Sequence, residues 1–365
     1  MPCNGADSGS VDAKNAKIQS IFGVGTAGLN EYWIGGSEGI LKVNGFAVLY
    51  AFVACWLGLA GLLKSGKRLP VDRPNARSLH VAPTPRIGGL GIMAGILVAA
   101  VALVAQGLLK AELPVLMAAC VLAVISVLDD VRGLPVVLRF LTHLIVAATC
   151  LLVLGLTGWS LLLGTLAVVW MTNLFNFMDG ADGLAGGMGA LGFGALALAA
   201  WHGDAPGLSV FCASIAAAAL AFLRFNFPPA RVFMGDAGSI PLGFLAASLG
   251  ILGAMQHVWP WMFPLLVFSP FIVDASVTLV RRGLRGEKIW QAHRSHYYQR
   301  VVLMGASHRQ LALNAYVLML VNAALAFLLL GTPQHAAWIL VGWAAMHSLI
   351  FLAIDRRWQR TCNEH

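Results

Sequence analysis

Apolar residues run along this chain in long, almost uncharged stretches, and polar residues are confined to the breaks between them. Eleven such runs separate, at 45–63, 88–108, 113–128, 136–156, 159–176, 184–201, 207–224, 240–256, 259–280, 310–330 and 335–354. A helix needs about 20 apolar residues to cross a hydrocarbon core about 30 Å thick. The pattern predicts an all-α, polytopic integral membrane protein with about eleven transmembrane helices. Residues 45–355 then form a single transmembrane domain, and 356–365 a short tail. Residues 1–44 are rich in Gly, Ser and Asn and lack an apolar core behind a basic start, so they read as a poorly ordered tail rather than a signal peptide.

Composition supports the same class. Hydrophobic residues make up 59% of the 365-residue chain, charged residues 11%, and the mean hydropathy is +0.78. Soluble domains carry about 25% charge, which excludes that class. The six cysteines show no CxxC spacing, and four lie inside apolar runs, so neither a disulfide framework nor a zinc site is indicated.

Lys and Arg collect on the cytoplasmic side of membrane proteins, and here the division is lopsided. An outside N-terminus places Lys14, Lys17, Lys42 and Lys110 outside, and the other 20 of the 24 basic residues inside. The C-terminus is then cytoplasmic, as are the loops 64–87, 129–135, 177–183, 225–239 and 281–309. The net charge of +8 belongs to loops facing anionic headgroups, so no nucleic-acid partner is indicated.

Carboxylates near a bilayer are costly and usually functional, and five of them cluster at the ends predicted to be cytoplasmic. Val127-Leu128-Asp129-Asp130-Val131-Arg132-Gly133 sets two carboxylates where an apolar helix reaches water. Such a pair can hold a divalent cation, or one member can take a proton from a phosphate nucleophile. A plain solvated end would accept Lys or Arg as readily, and helix C-termini disfavour anions.

In Asn173-Leu174-Phe175-Asn176-Phe177-Met178-Asp179-Gly180-Ala181-Asp182-Gly183, oxygen-bearing side chains recur every third residue among glycines that let a ligand approach. Oxygen-only donors suit magnesium rather than zinc. An EF-hand does not fit, because no Glu stands at loop position twelve. A third motif, Asn226 to Ser239, sets Asp236 between glycines ahead of a helix whose first amides can face an anion. A Gly-rich turn capped by Asp would explain Asp236-Ala237-Gly238-Ser239 alone, but not its place on the same face as the others.

A fourth segment, His293-Arg294-Ser295-His296, follows Arg281, Arg282 and Arg285. Guanidinium groups bind anions, and imidazoles act as acid or base near neutral pH. A merely basic inner loop explains the arginines but not the two histidines. The loop from Asp72 to Gly89 adds Arg77, His80 and Arg86, with Gly88 and Gly89 suited to close helix packing. Asp274, inside the ninth run, shares a helical face with Arg281 and is open to a structural or a catalytic role.

Together, from about Asp72 to Arg300, these segments resemble the polyprenyl-phosphate N-acetylhexosamine-1-phosphate transferase family, which includes the phospho-N-acetylmuramoyl-pentapeptide transferases and the initiators of O-antigen and common-antigen glycans. The resemblance implies transfer of an N-acetylhexosamine 1-phosphate from a UDP-sugar to undecaprenyl phosphate at the bacterial inner membrane. The active site would be cytoplasmic, UMP would be released, and Mg2+ would be the cofactor, with Mn2+ able to substitute. It further implies that Asp129 and Asp130 handle the lipid phosphate, and that Asp236 and Asn176 bind metal. Asp179, Asp182, Asn226 and Phe233 would form the nucleotide pocket, and His293, Arg294 and His296 would contact the diphosphate or the sugar. Partners are the UDP-N-acetylhexosamine, undecaprenyl phosphate and membrane lipid, with a homodimer left open. Pentapeptide transferases carry Lys three residues after the Asp pair and three consecutive histidines. This chain has Arg132 and His-Arg-Ser-His instead, closer to the O-antigen-initiating branch.

A secondary transporter for an anionic solute is the alternative. Its site would lie at mid-membrane in repeated halves, whereas these polar clusters lie at helix ends and no repeat is seen. A CDP-alcohol phosphatidyltransferase has a differently spaced Asp signature and fewer spans. The orientation is checked by labelling. A cysteine placed at Ser295 should react with an impermeant thiol reagent only after the membrane is opened, and one placed at Gln334 should react in intact spheroplasts.

Overall fold

The computed structural model describes residues 37–65, 69–72, 79, 82–288 and 293–363, with side chains from residue 45 onward. Most of the tail expected over 1–44 therefore lies outside the described residues, as do Arg77 and His80. The described chain forms thirteen α-helices: α1 (Ser37–Lys64), α2 (Gly88–Ala105), α3 (Leu113–Arg132), α4 (Val136–Val153), α5 (Gly158–Phe177), α6 (Leu184–His202), α7 (Pro206–Asn226), α8 (Asp236–Met255), α9 (Met262–Val267), α10 (Ser269–Leu284), α11 (Tyr297–Leu303), α12 (His308–Gly331) and α13 (Ala336–Asn363). Ten described helices are long and apolar enough to cross a membrane. The all-α, multi-pass architecture expected from the hydrophobic pattern is what the structure shows.

The ninth run departs from expectation, because it is two helices instead of one, broken at Phe268. The cause is Pro270, which has no N–H for the Leu266 carbonyl one turn back. Ser269 Oγ donates to that carbonyl instead, at 2.7 Å. Asn322 Oδ1 and Trp343 Nε1 close around Ser269 Oγ at 2.6 and 3.0 Å, and His347 Nε2 lies 3.2 Å from Asn322 Oδ1. Ser269, Asn322 and Trp343 at the break thus bond one another inside the bundle, as lipid surroundings favour, while His347 Nδ1 has no hydrogen-bond partner among the described residues.

The helix α8 is the axis of the fold. Of its membrane-length window 83% is buried, against 11% for the last span. It packs against α5 and α3, while α6 lies along α7 and α2 along α7. These close approaches depend on small residues. A Cβ at Gly238 would stand 2.7 Å from the Gly89 Cα, and one at Gly243 would stand 2.6 Å from the Met171 carbonyl oxygen. The N-termini of α2 and α8 therefore meet backbone to backbone, the use expected for Gly89.

A two-stranded antiparallel ribbon, β1 (Val71–Asp72) with β2 (Thr84–Pro85), precedes α2. Its second strand continues into the segment before α8. Phe233 N donates to Pro85 O at 2.8 Å, Gly88 N to Phe233 O at 2.9 Å, and Gly89 N to Met234 O at 2.8 Å. Arg86 sits between these bonds and is aimed by them.

Substituting Gly238→Ala should destabilise the protein by about 1–3 kcal/mol, because the new methyl meets backbone that cannot move aside. Gly194→Ala, where nothing lies within 4 Å of the added carbon, should be neutral or stabilising. Thermal unfolding of the two variants in detergent checks the contrast. Equal melting temperatures would mean that the α2–α8 contact is not tight.

Candidate active site

Five elements bring charged ends to one place. Asp129 and Asp130 close α3, Asn176 lies one residue from the end of α5, Asp236 opens α8, Arg86 precedes α2, and Arg139 lies in the first turn of α4. Opposite charges interleave there. Arg86 Nη2 donates to Asp236 Oδ1 at 3.0 Å, and its Nη1 lies 3.9 Å from Asp130 Oδ1. Arg139 Nη1 donates to Asp129 Oδ2 at 2.7 Å and lies 3.9 Å from Asp236 Oδ2. Two guanidinium groups thus tie three carboxylates into one cluster, open enough to water that each pair contributes modestly alone.

The two adjacent aspartates are not equivalent. Asp129 Oδ1 also accepts from Leu134 N at 2.6 Å, beyond the left-handed Gly133 that ends α3. Both its oxygens are engaged in fixing the α3–α4 turn and Arg139. Asp130 is the more exposed, its side chain 29% accessible against 11% for Asp129. An anion-disfavouring helix end is tolerated because Arg139 and the Leu134 amide supply the missing positive potential.

Asp179 lies in the turn after α5, facing the start of α8. Burial pushes its carboxyl well above the usual carboxylate range, and the Asp236 carboxylate adds to this, while the Arg86 guanidinium and the Gly235 amide offset part of it. Asn176 Oδ1 accepts from Ser239 Oγ at 3.3 Å, which locks α5 to the first turn of α8. Asp179, Asp236 and Asn176 thus come together as oxygen donors.

The spacing of three does not keep all four of its residues together, because Asn173 bonds its own helix and Asp182 lies beyond the helix end at Phe177. Asn173 Nδ2 turns back to Val169 O at 2.7 Å. Asp182 turns away from the cluster: its Oδ2 accepts from Ala230 N at 3.0 Å and its Oδ1 lies 3.3 Å from His308 Nδ1. Asn226 is buried, its Oδ1 accepting from Gly183 N at 2.8 Å and its Nδ2 donating to Val232 O at 2.9 Å. It therefore holds the 177–183 and 225–239 loops together. Phe233, half-buried, keeps its backbone in the ribbon beside Arg86.

The histidine segment stands against the end of α5. The His296 and Phe177 rings stack with centroids 6.2 Å apart, and Tyr298 Oη donates to Phe177 O at 3.0 Å. Asp274 does not pair with Arg281. It accepts from Tyr297 N and Tyr298 N at 2.9 and 3.0 Å, capping α11, and lies 3.4 Å from His296 Nδ1. Arg281 instead meets Asp355 at 2.6 Å. His293 and His296 stand 4.8 Å apart, Ser295 Oγ lies 2.8 Å from His293 Nδ1, and Arg294 is exposed. Burial, with His296 and Arg282 nearby, pulls the His293 imidazole down to about 4, so it is neutral at pH 7 and brings no positive charge to this face. Arg139, Asp355 and His308 were not singled out from the sequence. Arg139 alone carried a signal, a cation at the head of the run that follows the Asp pair.

The fold and the site define a multi-pass membrane protein with a carboxylate- and guanidinium-lined site at one end of its helix bundle, suited to charged phosphoryl groups. The model described as glycosyl transferase family 4 matches residues 113–254, from the start of α3 to the end of α8. A decaprenyl-phosphate N-acetylglucosaminephosphotransferase of Mycobacterium leprae is 30% identical, over 71% of this chain and 76% of the relative. An undecaprenyl-phosphate alpha-N-acetylglucosaminyl 1-phosphate transferase of Salmonella typhi is 30% identical, over 70% and 74%. A probable undecaprenyl-phosphate N-acetylglucosaminyl 1-phosphate transferase of Bacillus subtilis is 29% identical, over 74% and 82%. The chain belongs to this family of polyprenyl-phosphate hexosamine-1-phosphate transferases.

The depressed His293 sets a pH window. Above 6.5 the ring is neutral folded or unfolded. Between 6.5 and about 4 the unfolded chain takes a proton that the folded one refuses, so stability is lost as the pH is lowered through that range. His293→Gln should flatten that part of the stability profile and leave melting above pH 7 unchanged. An identical acid slope in the variant would place the lost stability elsewhere.

Proposed function

We propose that this protein transfers an N-acetylhexosamine 1-phosphate from its UDP-sugar to undecaprenyl phosphate. A phosphate oxygen of the lipid attacks the β-phosphorus, the bond to UMP breaks, and a lipid-linked diphospho-sugar forms. The observation that carries this reading is the interleaving of Asp129, Asp130 and Asp236 with Arg86 and Arg139 at one end of the bundle. Bringing a phosphate onto a diphosphate crowds several negative charges, and catalysis of such transfer is mostly positioning and charge stabilisation. Arg86 and Arg139 turn from their carboxylates toward those phosphates. Asp130, the more open of the pair, faces the lipid phosphate and accepts its proton where one remains. Asp129 holds Arg139. The basic-residue asymmetry supports a cytoplasmic location for this end, where UDP-sugars are supplied.

A magnesium ion fits the donor set. Asp236, Asp179 and Asn176 offer only oxygen, and no three His, Cys, Asp or Glu among the described residues form a cage of their own. Mg2+ is usually held by one or two carboxylates plus substrate phosphates. When bound it would neutralise and orient the diphosphate. The family members above are named for N-acetylglucosaminyl transfer, which supports that sugar before its 6-deoxy analogues. The His-Arg-Ser-His segment supports an O-antigen-type pathway over the pentapeptide one.

A transporter would share the broken ninth run, but Ser269, Asn322 and Trp343 there are bonded to one another. The test is direct. Purified protein, undecaprenyl phosphate and a panel of UDP-sugars with Mg2+ or Mn2+ should give lipid-linked product detectable by mass, and chelator should stop it. Asp236→Asn should lower turnover by on the order of a hundredfold or more, since losing one group that stabilises developing charge costs about 3 kcal/mol. Full turnover in excess chelator would remove the metal, and no product with any sugar would remove the transferase reading.

A further inference from the structure

The last helix is the least buried of the bundle, yet it ends in a built contact with the histidine segment. At about 1.5 Å per residue its 28 residues span about 42 Å, longer than the about 30 Å hydrocarbon core. The excess at its C-terminal end brings Asp355 to the level of the site. Asp355 Oδ2 accepts from Arg281 Nη1 at 2.6 Å and from Tyr297 Oη at 3.2 Å, and Oδ1 accepts from Arg300 Nη1 at 3.0 Å. Three donors from α10 and α11 converge on one carboxylate whose side chain is only 20% exposed. Arg300 is 10% exposed, so its charge has little water to fall back on.

The ring of Tyr297 completes the joint. It is fully buried, stacks on Phe351 of α13 with centroids 3.8 Å apart, and has the Arg281 and Arg300 guanidinium carbons 5.5 and 4.9 Å from its centroid. Burial, with the neighbouring Asp355 carboxylate, pushes its phenol up to about 12, so the hydroxyl keeps the proton it donates. Beyond this joint, α11 reaches the active site at once. His296 precedes Tyr297, and Tyr298 Oη bonds the Phe177 carbonyl two residues before Asp179. Asp274 caps α11 through the Tyr297 and Tyr298 amides but leaves its outer side unheld.

We propose that Asp355 is a positioning residue for the transfer reaction: it clamps α11, and through α11 holds the His293–His296 segment and Tyr298 against the turn that presents Asp179. This rests on the transferase reading for its catalytic consequence but not for the clamp itself. The last helix is then part of the site's support as well as a membrane span. The carboxylate does not touch substrate. Its loss acts on the placement of groups that do.

The experiment uses the full-length protein in detergent with three variants, Asp355→Asn, Asp355→Glu and Tyr297→Phe. Amide hydrogen exchange across Tyr297–Leu303 is read beside transfer kinetics. Losing a hydrogen bond to a charged group is worth about tenfold or more. Asp355→Asn should therefore speed exchange in that stretch by about tenfold and lower kcat by a similar factor. KM for undecaprenyl phosphate should move less than twofold, because the cluster around Asp130 is untouched. Asp355→Glu should recover part of both. Tyr297→Phe, which keeps the ring stack and removes only one hydroxyl, should show the same change in smaller degree, and it decides the matter where Asp355→Asn does not fold. Exchange across Tyr297–Leu303 that stays at the wild-type rate in the folded variants overturns the clamp. If the wild-type protein transfers no sugar, the transferase reading fails and the exchange data alone judge the clamp. Faster exchange with unchanged kcat overturns the positioning role.

Discussion

Like charges crowded at the end of a membrane bundle repel, and the arrangement of this protein depends on how that repulsion is answered. Asp129, Asp130, Asp179 and Asp236 arrive from two different helix ends and one turn, and without cations they would force α3, α5 and α8 apart. Arg86 and Arg139 prevent this from two further elements, each lying between two carboxylates. Each guanidinium has one close partner and one at 3.9 Å, so part of its charge is only loosely engaged. A site built from half-engaged charges can exchange partners when phosphates enter, at less cost than one that must break a closed ion pair.

The scaffold places those charges by close backbone contact. Gly89 and Gly238 let the N-termini of α2 and α8 touch, which carries the ribbon strand with Arg86 to the residue before Asp236. The Ser239 hydroxyl ties α5 to the same first turn. The positive potential of two helix starts, α2 and α8, is thus directed at the carboxylate cluster and helps to hold its anions. On the other side, Asn226 fixes the two loops flanking Asp182 through backbone partners, so the turn presenting Asp179 is anchored at both ends.

Much of this was legible in the sequence because a bilayer leaves few choices. Apolar runs must become helices, and charges must sit at their ends, so the convergence of Asp129, Asp130, Asp179 and Asp236 follows once topology is known. What failed were inferences from local spacing. Asn173 and Asp182 share a period of three with Asn176 and Asp179, but Asp182 lies beyond the helix, which stops at Phe177, and Asn173, though inside it, gives its amide to the Val169 carbonyl. Asp274 and Arg281 share a helical face, but each found a better partner on another element. The break in the ninth run was signalled by Pro270, which an apolar count does not register. Arg139 was hidden among twenty basic residues that all told the same story about orientation. Asp355 gave no signal, because its partners Arg300 and Arg281 lie 55 and 74 residues away.

That distance bears on how the two halves of the site relate. The region matched by the family model ends at residue 254, and it contains the Asp pair, Asn176, Asp179, Asp182, Asn226, Phe233 and Asp236. Arg86 comes from before it, and the histidine segment comes from after it. The first part of the site is fixed by tightly packed membrane helices around α8. The second sits on α11, a helix of seven residues with too few turns to be stable alone. Such an element takes its position from its contacts: the Asp274 cap on one side, the Tyr298–Phe177 bond at the front and the Asp355 joint behind. A part of the site held by a few polar contacts can shift more readily than one packed in the bundle. Differences among transferases that share the carboxylate core therefore have room to arise in this segment and in the helix that backs it.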